Sequence, residues 1–358
     1  MGSAINFFGA IVKFSKVFTI LIVLTLCVLA LTSCSASGYY TVMGTDLVVD
    51  VKVRTGNPEK AAKTVYQYMQ ALNLVLSPTE QGSDLERINS APIGTPISCH
   101  AETLEIMSVA KYVYDMSDGA YDPSVYPLVK LWQFDGGTFG TGTFVLPSDL
   151  EILATKQFVG LDKAFAVDYE NRTITKLVLG AELDFGGIAK GYASDRAREI
   201  VNVKNMLVYL GGNISAKGTN YKIGVGNPTR KDRRFATPYF GIIDLKDGEC
   251  VSTSGDYERY YELKVGEVTR YYHHILDPKT GYPVDTSGDD GVVSATVIST
   301  NGAFADAVAT AIVVLGKEKG LALLAKLKED ARYDFSAVLI DGNFNHVTFG
   351  NVEFELEK

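Results

Sequence analysis

Leu183-Asp184-Phe185-Gly186-Gly187-Ile188-Ala189-Lys190-Gly191-Tyr192-Ala193 is the stretch on which the reading of this chain turns. An apolar run, Leu177–Leu179, precedes it, and a helical pattern follows through Ala197 and Ile200. The spacing predicts a buried strand or loop that enters a helix through a glycine pair. A helix N-terminus offers unpaired backbone N–H groups and the positive end of a dipole, a ready place for an anion. Gly186 and Gly187 lack a Cβ, so ligand oxygens or a metal can come close to the main chain. Asp184 adds a carboxylate, and Lys190 adds a cation within one or two turns. A plain glycine-rich turn with a surface lysine satisfies the same pattern. The segment matches neither G-x-G-x-x-G nor G-x-x-x-x-G-K-[ST], so those nucleotide fingerprints do not apply.

Around this stretch lies an ordinary globular composition: 358 residues, 46% apolar and 21% charged. That is enough chain for a large core, as one domain or two smaller ones. The net charge of −8 argues against nucleic acid as a partner, since phosphate backbones are bound by basic surfaces. It leaves room for a local basic pocket. The first 33 residues read as a targeting segment. Lys13 and Lys16 precede the apolar run Val17–Leu31, which is shorter than the roughly 20 residues of a membrane span. Leu31-Thr32-Ser33-Cys34 follows. It is similar to a bacterial lipobox, in which Cys34 becomes the lipidated first residue of the mature chain. Residues 34–39 would then be a short flexible tether and 40–358 the folded domain. Once Cys27 and Cys34 are set aside, Cys99 and Cys250 remain, without a C-x-x-C spacing. They are free and buried, or paired outside the cell; nothing points to zinc or redox work.

Periodicity predicts a strand at Asp46–Val53, amphipathic helices at Pro58–Val75 and Glu102–Met116, and two short strands about Asn171-Arg172. Further strands are expected at Leu207–Leu210, Tyr221–Val225, Tyr239–Leu245, Tyr260–Glu262 and Val292–Ile298. The helix opened at the signature runs on through Gly191–Val203. Gly302–Leu315 and Lys317–Leu327 read as helices, and Val338–Ile340 with His346–Phe349 as a hairpin. Asp135–Thr143 and Thr229–Pro238 read as surface loops. There is no fixed-period repeat. Without regular βα alternation the expectation is an α+β fold: layered, with mixed, mainly antiparallel sheets flanked by helices.

Two constellations carry chemistry. Asp306 and Thr310 sit four apart, which puts both oxygens on one helix face, and alanines at 303, 305, 307, 309 and 311 leave space there. Hard divalent cations take such oxygen ligands; a threonine bonding back to its own helix is the plain alternative. His274, one of four histidines, precedes the turn Ile275-Leu276-Asp277-Pro278-Lys279-Thr280-Gly281. A histidine near neutral pKa on a rigid turn suits general-base work on a hydroxyl, unless it is structural or His273 is the relevant one. Asp277 reads as a cap of that turn, and the lone Trp132 as packing.

The signature resembles that of the ApbE family, the FAD:protein FMN transferases. Other blocks similar to the family follow one order: Met43-Gly44-Thr45; Leu76-Ser77 with Ser83-Asp84-Leu85-Glu86-Arg87-Ile88-Asn89; Ser117-Asp118-Gly119-Ala120-Tyr121-Asp122-Pro123; and Pro127-Leu128-Val129 with Leu131-Trp132. Then come Leu210-Gly211-Gly212-Asn213, Gly224-Val225-Gly226-Asn227-Pro228, Thr253-Ser254-Gly255-Asp256-Tyr257, His274-Ile275-Leu276-Asp277-Pro278, Thr280-Gly281-Tyr282-Pro283 and Ala305-Asp306-Ala307-Val308-Ala309-Thr310-Ala311. The resemblance runs from about Tyr40 to Gly316. Each block is weak alone; their common order is specific.

The resemblance implies a layered, T-fold-like catalytic domain. It implies Mg²⁺ held by Asp306, Thr310 and the carbonyl of Gly187, and FAD held at Met43, Ala120, Tyr121, Asp122, Asp184, Lys190, Ile275 and Ala309. It selects His274 as the catalytic base. FAD would be cleaved to AMP, and FMN attached by a phosphoester to a threonine or serine of an acceptor, an electron-transfer flavoprotein. The family's acceptor motif is absent here, so the acceptor is expected in trans, with the enzyme lipid-anchored on the extracytoplasmic face of a bacterial membrane. One departure stands out: an aromatic residue is common two positions after the family's Leu-Ser, where this chain has Thr79. That position implies an open balance between FMN transfer, FAD hydrolysis and retention of FAD.

Overall fold

In the computed structural model, residues 34–53, 56–135, 144–229, 238–265 and 267–357 are described. The 1–33 targeting segment, and most of the two expected loops at 135–143 and 229–238, lie outside them. In chain order the strands are β1 (Cys34–Val42), β2 (Thr45–Val53), β3 (Pro96–Ser98), β4 (Phe165–Asp168), β5 (Thr173–Lys176) and β6 (Asn205–Leu210). They continue with β7 (Asn213–Lys217), β8 (Tyr221–Gly226), β9 (Tyr239–Leu245), β10 (Cys250–Gly255) and β11 (Tyr260–Val265). The last are β12 (Val268–His273), β13 (Val292–Ser299), β14 (Phe335–Asp341), β15 (His346–Phe349) and β16 (Phe354–Leu356). Helices occupy Pro58–Leu76, Asp84–Ser90, Ala101–Met116, Tyr126–Leu131, Asp149–Lys156, Leu161–Ala164, Ala189–Ile200 and Gly302–Asp330.

An antiparallel sheet of eight strands, ordered β1-β2-β6-β7-β10-β13-β14-β15, forms the centre. Side chains alternate across it. Ala295, Val297, Ala337 and Leu339 join the core beneath the long helices. Val293, Ile298, Val338 and Ile340 face the other way, onto the small sheet β16-β9-β8. Covered on both faces, β13 and β14 are buried at every residue. Their polar members, Ser294, Thr296, Ser299, Ser336 and Asp341, are small or hydrogen-bonded and are buried along with the apolar ones. The layered α+β expectation holds.

Two tight hairpins gather at one end of the sheet. Met43 and Gly44 both take positive φ (53° and 69°) between β1 and β2, as do Gly211 and Gly212 (49° and 86°) between β6 and β7. Two left-handed residues make the I′-type turn that matches strand twist. A Cβ on Gly211 would stand 2.5 Å from Thr45 Oγ1, so the second turn nests on the first. The N–H of Thr253 then bonds to the carbonyl of Gly212 (3.2 Å), bringing β10 to the same end.

Several expectations change. Residues 34–39 are no tether: they open β1, which pairs with β2 from Cys34↔Val53 to Val42↔Thr45. Ser-Ala-Ser-Gly has a linker's composition, but sheet pairing overrides so weak a local preference. Leu177 and Leu179 are exposed; the buried lead-in to the signature is Leu183 and Phe185. The signature helix spans Ala189–Ile200. The two expected C-terminal helices do part at Gly316, whose φ of 79° no helix interior adopts; the second runs on to Asp330 rather than ending at Leu327. Tyr260–Glu262 extends into a hairpin with β12. Cys99 and Cys250 are separate buried thiols, and burial pushes Cys99 up to about 11 and Cys250 higher still, so the disulfide alternative falls.

Candidate functional site

The site forms where the signature helix meets the helix Gly302–Asp330. Their first turns touch glycine to glycine. A Cβ on Gly191 would overlap the carbonyl oxygen of Gly302 and stand 2.7 Å from Asp306 Cβ, and one on Gly302 would overlap the Gly191 carbonyl. Asp195 of the first helix accepts the N–H of Gly302 (3.1 Å), and Asp306 of the second accepts the N–H of Gly191 (3.0 Å). Each helix thus supplies a carboxylate to an orphan N–H of the other's first turn. This reciprocal capping places Asp306, 3% exposed, beside the signature loop.

Before that helix the loop is clamped. The Asn89 side chain donates to the carbonyl of Leu183 (2.9 Å) and accepts from its N–H (2.7 Å). Lys176 Nζ donates to the Asn89 carbonyl (2.6 Å), and the N–H of Asp184 bonds to the Pro123 carbonyl (2.8 Å). Gly187 is thereby presented to Thr310 and Tyr121: a Cβ there would lie 3.4 Å from Thr310 Oγ1 and 3.4 Å from Tyr121 Cε2. The expected metal set of Gly187, Asp306 and Thr310 converges. Thr310 Oγ1 also meets Ser254 Oγ on β10 (3.0 Å) and its own helix carbonyl at Asp306 (3.3 Å).

This donor set fits a hard cation. Burial raises the Asp306 carboxyl above the ordinary range, offset in part by the charge of Lys190 and by hydrogen bonds from Gly191 and Asn213. Among the described residues Asp306 makes no ion pair. The Tyr121 hydroxyl is buried with no hydrogen-bond partner among them, and burial, with Asp306, Asp184 and Asp122 adding to it, holds its pKa high. A buried carboxylate without a counter-ion and an orphaned hydroxyl are costly unless something polar joins them. Among the described residues no group of three or more His, Cys, Asp or Glu side chains is placed to hold a metal ion. One carboxylate with neutral oxygens suits Mg²⁺ alongside a phosphate, not zinc.

At the other side of the cleft the two histidines separate cleanly. His273 is buried with both ring nitrogens used: Nε2–H donates to the Val284 carbonyl (2.8 Å), and Nδ1 accepts from the N–H of Ile275 (3.3 Å). His274 Nδ1 faces the Arg259 carbonyl (3.2 Å), which can only accept, so Nδ1 carries the hydrogen and Nε2 holds a lone pair. Desolvation, then the charges of His273, Arg259 and Lys190, push His274 down to about 3. The imidazole is therefore neutral, with its Nε2 lone pair unprotonated, and a weaker base than the near-neutral histidine expected from the sequence.

Asp184 lies in the cleft; burial raises its carboxyl, against hydrogen bonds from Gly186 and Phe185 and the charges of Lys190 and Arg259. Lys190 Nζ is bonded to the Gly186 carbonyl (2.5 Å) and adds positive charge near Asp184, Asp306 and His274. Ile275 and Ala309 are buried and Met43 half-buried on the same core, and Ala120 is buried beside Tyr121 in sequence. Asp122 is placed differently: Ser124 N–H (2.8 Å) and Oγ–H (2.6 Å) bind its carboxylate inside its own turn. Asp277 caps its turn at Lys279 (2.8 Å), and Trp132 packs with Leu128 and Phe134. Thr79 Oγ1 meets Ser77 Oγ (3.1 Å). A cavity of about 670 Å³, lined among the described residues by Tyr271, His273, Tyr282 and Thr286, lies on the His273 side and contains none of the expected FAD residues.

The sequence reading quoted Asn89 and Asn213 within blocks but gave them no role, and it passed over Arg259. An amide that bonds 94 residues away leaves no periodic trace.

The sequence model of the ApbE family matches residues 43–333. The FAD:protein FMN transferase of Klebsiella pneumoniae (strain 342) is 32% identical over 290 residues, covering 80% of this chain and 83% of that protein. The FAD:protein FMN transferase of Treponema pallidum (strain Nichols) is 30% identical over 283 residues, with 74% of each covered. Among solved structures, the ApbE protein of Thermotoga maritima superposes with a TM-score of 0.74 at 30% identity, covering 88% of this chain and 96% of that one. The flavin transferase ApbE of Vibrio cholerae gives 0.71 at 25% identity, covering 89% and 97%. The chain belongs to the ApbE family.

Proposed function

We propose that this protein is a Mg²⁺-dependent FAD:protein FMN transferase that joins FMN to a threonine or serine hydroxyl of a separate acceptor flavoprotein. The observation that carries the reading is a neutral histidine with its Nε2 lone pair free, together with a buried oxygen set whose carboxylate makes no direct ion pair among the described residues, the charge of Lys190 acting on both. The names of the curated relatives support the substrate pair.

The chemistry follows from these groups. The acceptor hydroxyl is a weak nucleophile, so its proton must leave as its oxygen attacks the FMN phosphorus. His274 Nε2 takes that proton, while Arg259's carbonyl holds the ring in the required tautomer. The pyrophosphate bond breaks, AMP departs, and the new phosphoester joins FMN to the acceptor. Mg²⁺ held by Asp306, Thr310 and the Gly187 carbonyl would supply charge neutralisation on the phosphate oxygens. Lys190 stands as a fixed point charge beside that set. Half-buried Met43 offers apolar surface to the dinucleotide.

We also propose attachment of the mature chain to the outer face of the membrane through lipid on Cys34, which is exposed at the start of β1. Among the described residues no helix is long and apolar enough to cross a membrane. Cys34→Ser should move the protein out of the membrane fraction; unchanged fractionation and processing refute this attachment. Incubation with FAD and Mg²⁺, with and without an acceptor domain, tests the activity. FMN-sized mass gain on the acceptor supports transfer. Free FMN and AMP regardless of acceptor would make the protein a FAD pyrophosphatase, and intact bound FAD a flavin carrier.

A further inference from the structure

Arg259 lies just before β11, two residues past the Thr253–Tyr257 block. Its carbonyl oxygen accepts both the main-chain N–H of His274 (3.0 Å) and Nδ1–H of the same residue (3.2 Å), so its Cα is pinned beside the base. Its side chain is exposed and makes no ion pair or hydrogen bond among the described residues. Two groups on different elements feel its charge: Asp184 in the signature loop and His274 after β12. With its main chain fixed beside His274, its guanidinium is within electrostatic reach of both groups. Lys190 acts on the same two groups, but its ammonium is already bonded to Gly186. The cleft therefore has a tethered point charge near the metal ligands and an uncommitted planar cation next to the base. A planar fork of N–H donors is the side chain suited to bidentate phosphate recognition.

We propose that Arg259 binds the diphosphate of the dinucleotide, its guanidinium meeting oxygens at the phosphorus under attack. The proposal rests on FAD as the substrate. Arg259 then serves the site twice: its carbonyl sets the tautomer of His274, and its guanidinium meets the phosphate.

ADP and adenosine separate the phosphate contact from the rest of the nucleotide. Their affinities for wild type, Arg259→Gln and Arg259→Lys, in the presence of Mg²⁺, are read by calorimetry. Loss of a charged hydrogen bond predicts roughly 10- to 100-fold weaker ADP binding by Arg259→Gln, with adenosine unchanged and Arg259→Lys in between. With FAD, KM should rise more than kcat falls, because both variants keep the main-chain carbonyl that orients His274. Unchanged ADP affinity in Arg259→Gln, equal losses for ADP and adenosine, or a wild type that binds ADP no tighter than adenosine each overturn the proposal. A wild type that binds ADP in this way but never cleaves FAD refutes the transferase reading alone.

Discussion

Asp306→Asn should separate the two jobs of this carboxylate. Asparagine keeps the size and an oxygen that can accept the Gly191 N–H, now 3.0 Å away, and removes only the charge. Burial raises the Asp306 pKa above its unfolded value. Ionisation therefore opposes folding: stability present at low pH is lost as pH rises through the folded-state pKa. Without metal, Asp306→Asn should be at least as stable as wild type at pH 7–8. Mg²⁺ should reverse the order. A ligand at 100 times its Kd stabilises by about 2.7 kcal/mol. With about 2.1 cal/mol/K of unfolding entropy per residue, a chain of this length has roughly 0.7 kcal/mol/K, so Tm should rise by about 4 °C. Thermal denaturation with and without MgCl₂ reads both effects, and acceptor labelling reads the loss of turnover. An undiminished Mg²⁺ shift in Asp306→Asn would falsify the ligand assignment. A metal-free variant well below wild type would show that the charge is there to cap a helix.

Further outcomes follow from the same geometry. His274→Ala should cost about 10²–10⁴-fold in transfer while FAD affinity stays near wild type. His273→Ala should instead lower Tm, because both its ring nitrogens hold main-chain groups; reversed phenotypes would mean the base has been misplaced. His274 is held down to about 3, so the kcat/KM profile, which reports the free enzyme, should lack an acid limb near the ordinary histidine value of 6.5. The sign for stability is opposite to that of Asp306: the unfolded chain takes up the proton first, so this group removes stability as pH falls from about 6.5 to about 3. An acid limb near 6.5 that vanishes in His274→Ala would contradict this. Gly191→Ala forces a Cβ against the Gly302 carbonyl and should cost about 1–3 kcal/mol or more, together with the Mg²⁺-induced Tm shift. A variant with wild-type Tm and wild-type shift would show that the crossing is looser than the contact implies.

What the sequence disclosed depended on how local each signal was. The helices Pro58–Leu76 and Gly302–Asp330 and the strand Val292–Ser299 carry long apolar patterns and were legible. β10 was not: Cys250–Gly255 is mostly small and polar, since Ser252, Thr253 and Ser254 hydrogen-bond to Asn213, Thr296 and Thr310 rather than fill a core. β1 hid behind a linker-like composition. In the candidate site, spacing put Asp306 and Thr310 on one helix face and drew attention to the Gly186-Gly187 pair, while their expected roles and the choice between the histidines came from the family resemblance. Asn89, Asn213 and Arg259 act through partners distant in sequence, two of them through main-chain groups, and only the folded chain shows such links.

The β1–β2 hairpin has a consequence for where the reaction can take place. Nine paired residues at about 3.3 Å per step make β1 a strut of roughly 26 Å, with Cys34 at its foot and the Met43-Gly44 turn at its head. The head nests, through Gly211 and Thr253, on the strand end that carries Ser254 and touches Thr310. If Cys34 carries lipid as proposed, the strut works as a ruler rather than a leash. The Met43-Gly44 end is then separated from the anchored residue by paired strand rather than by slack chain. The reach of the site is set by that strut and by the tilt of the domain, not by the uncoiling of a linker.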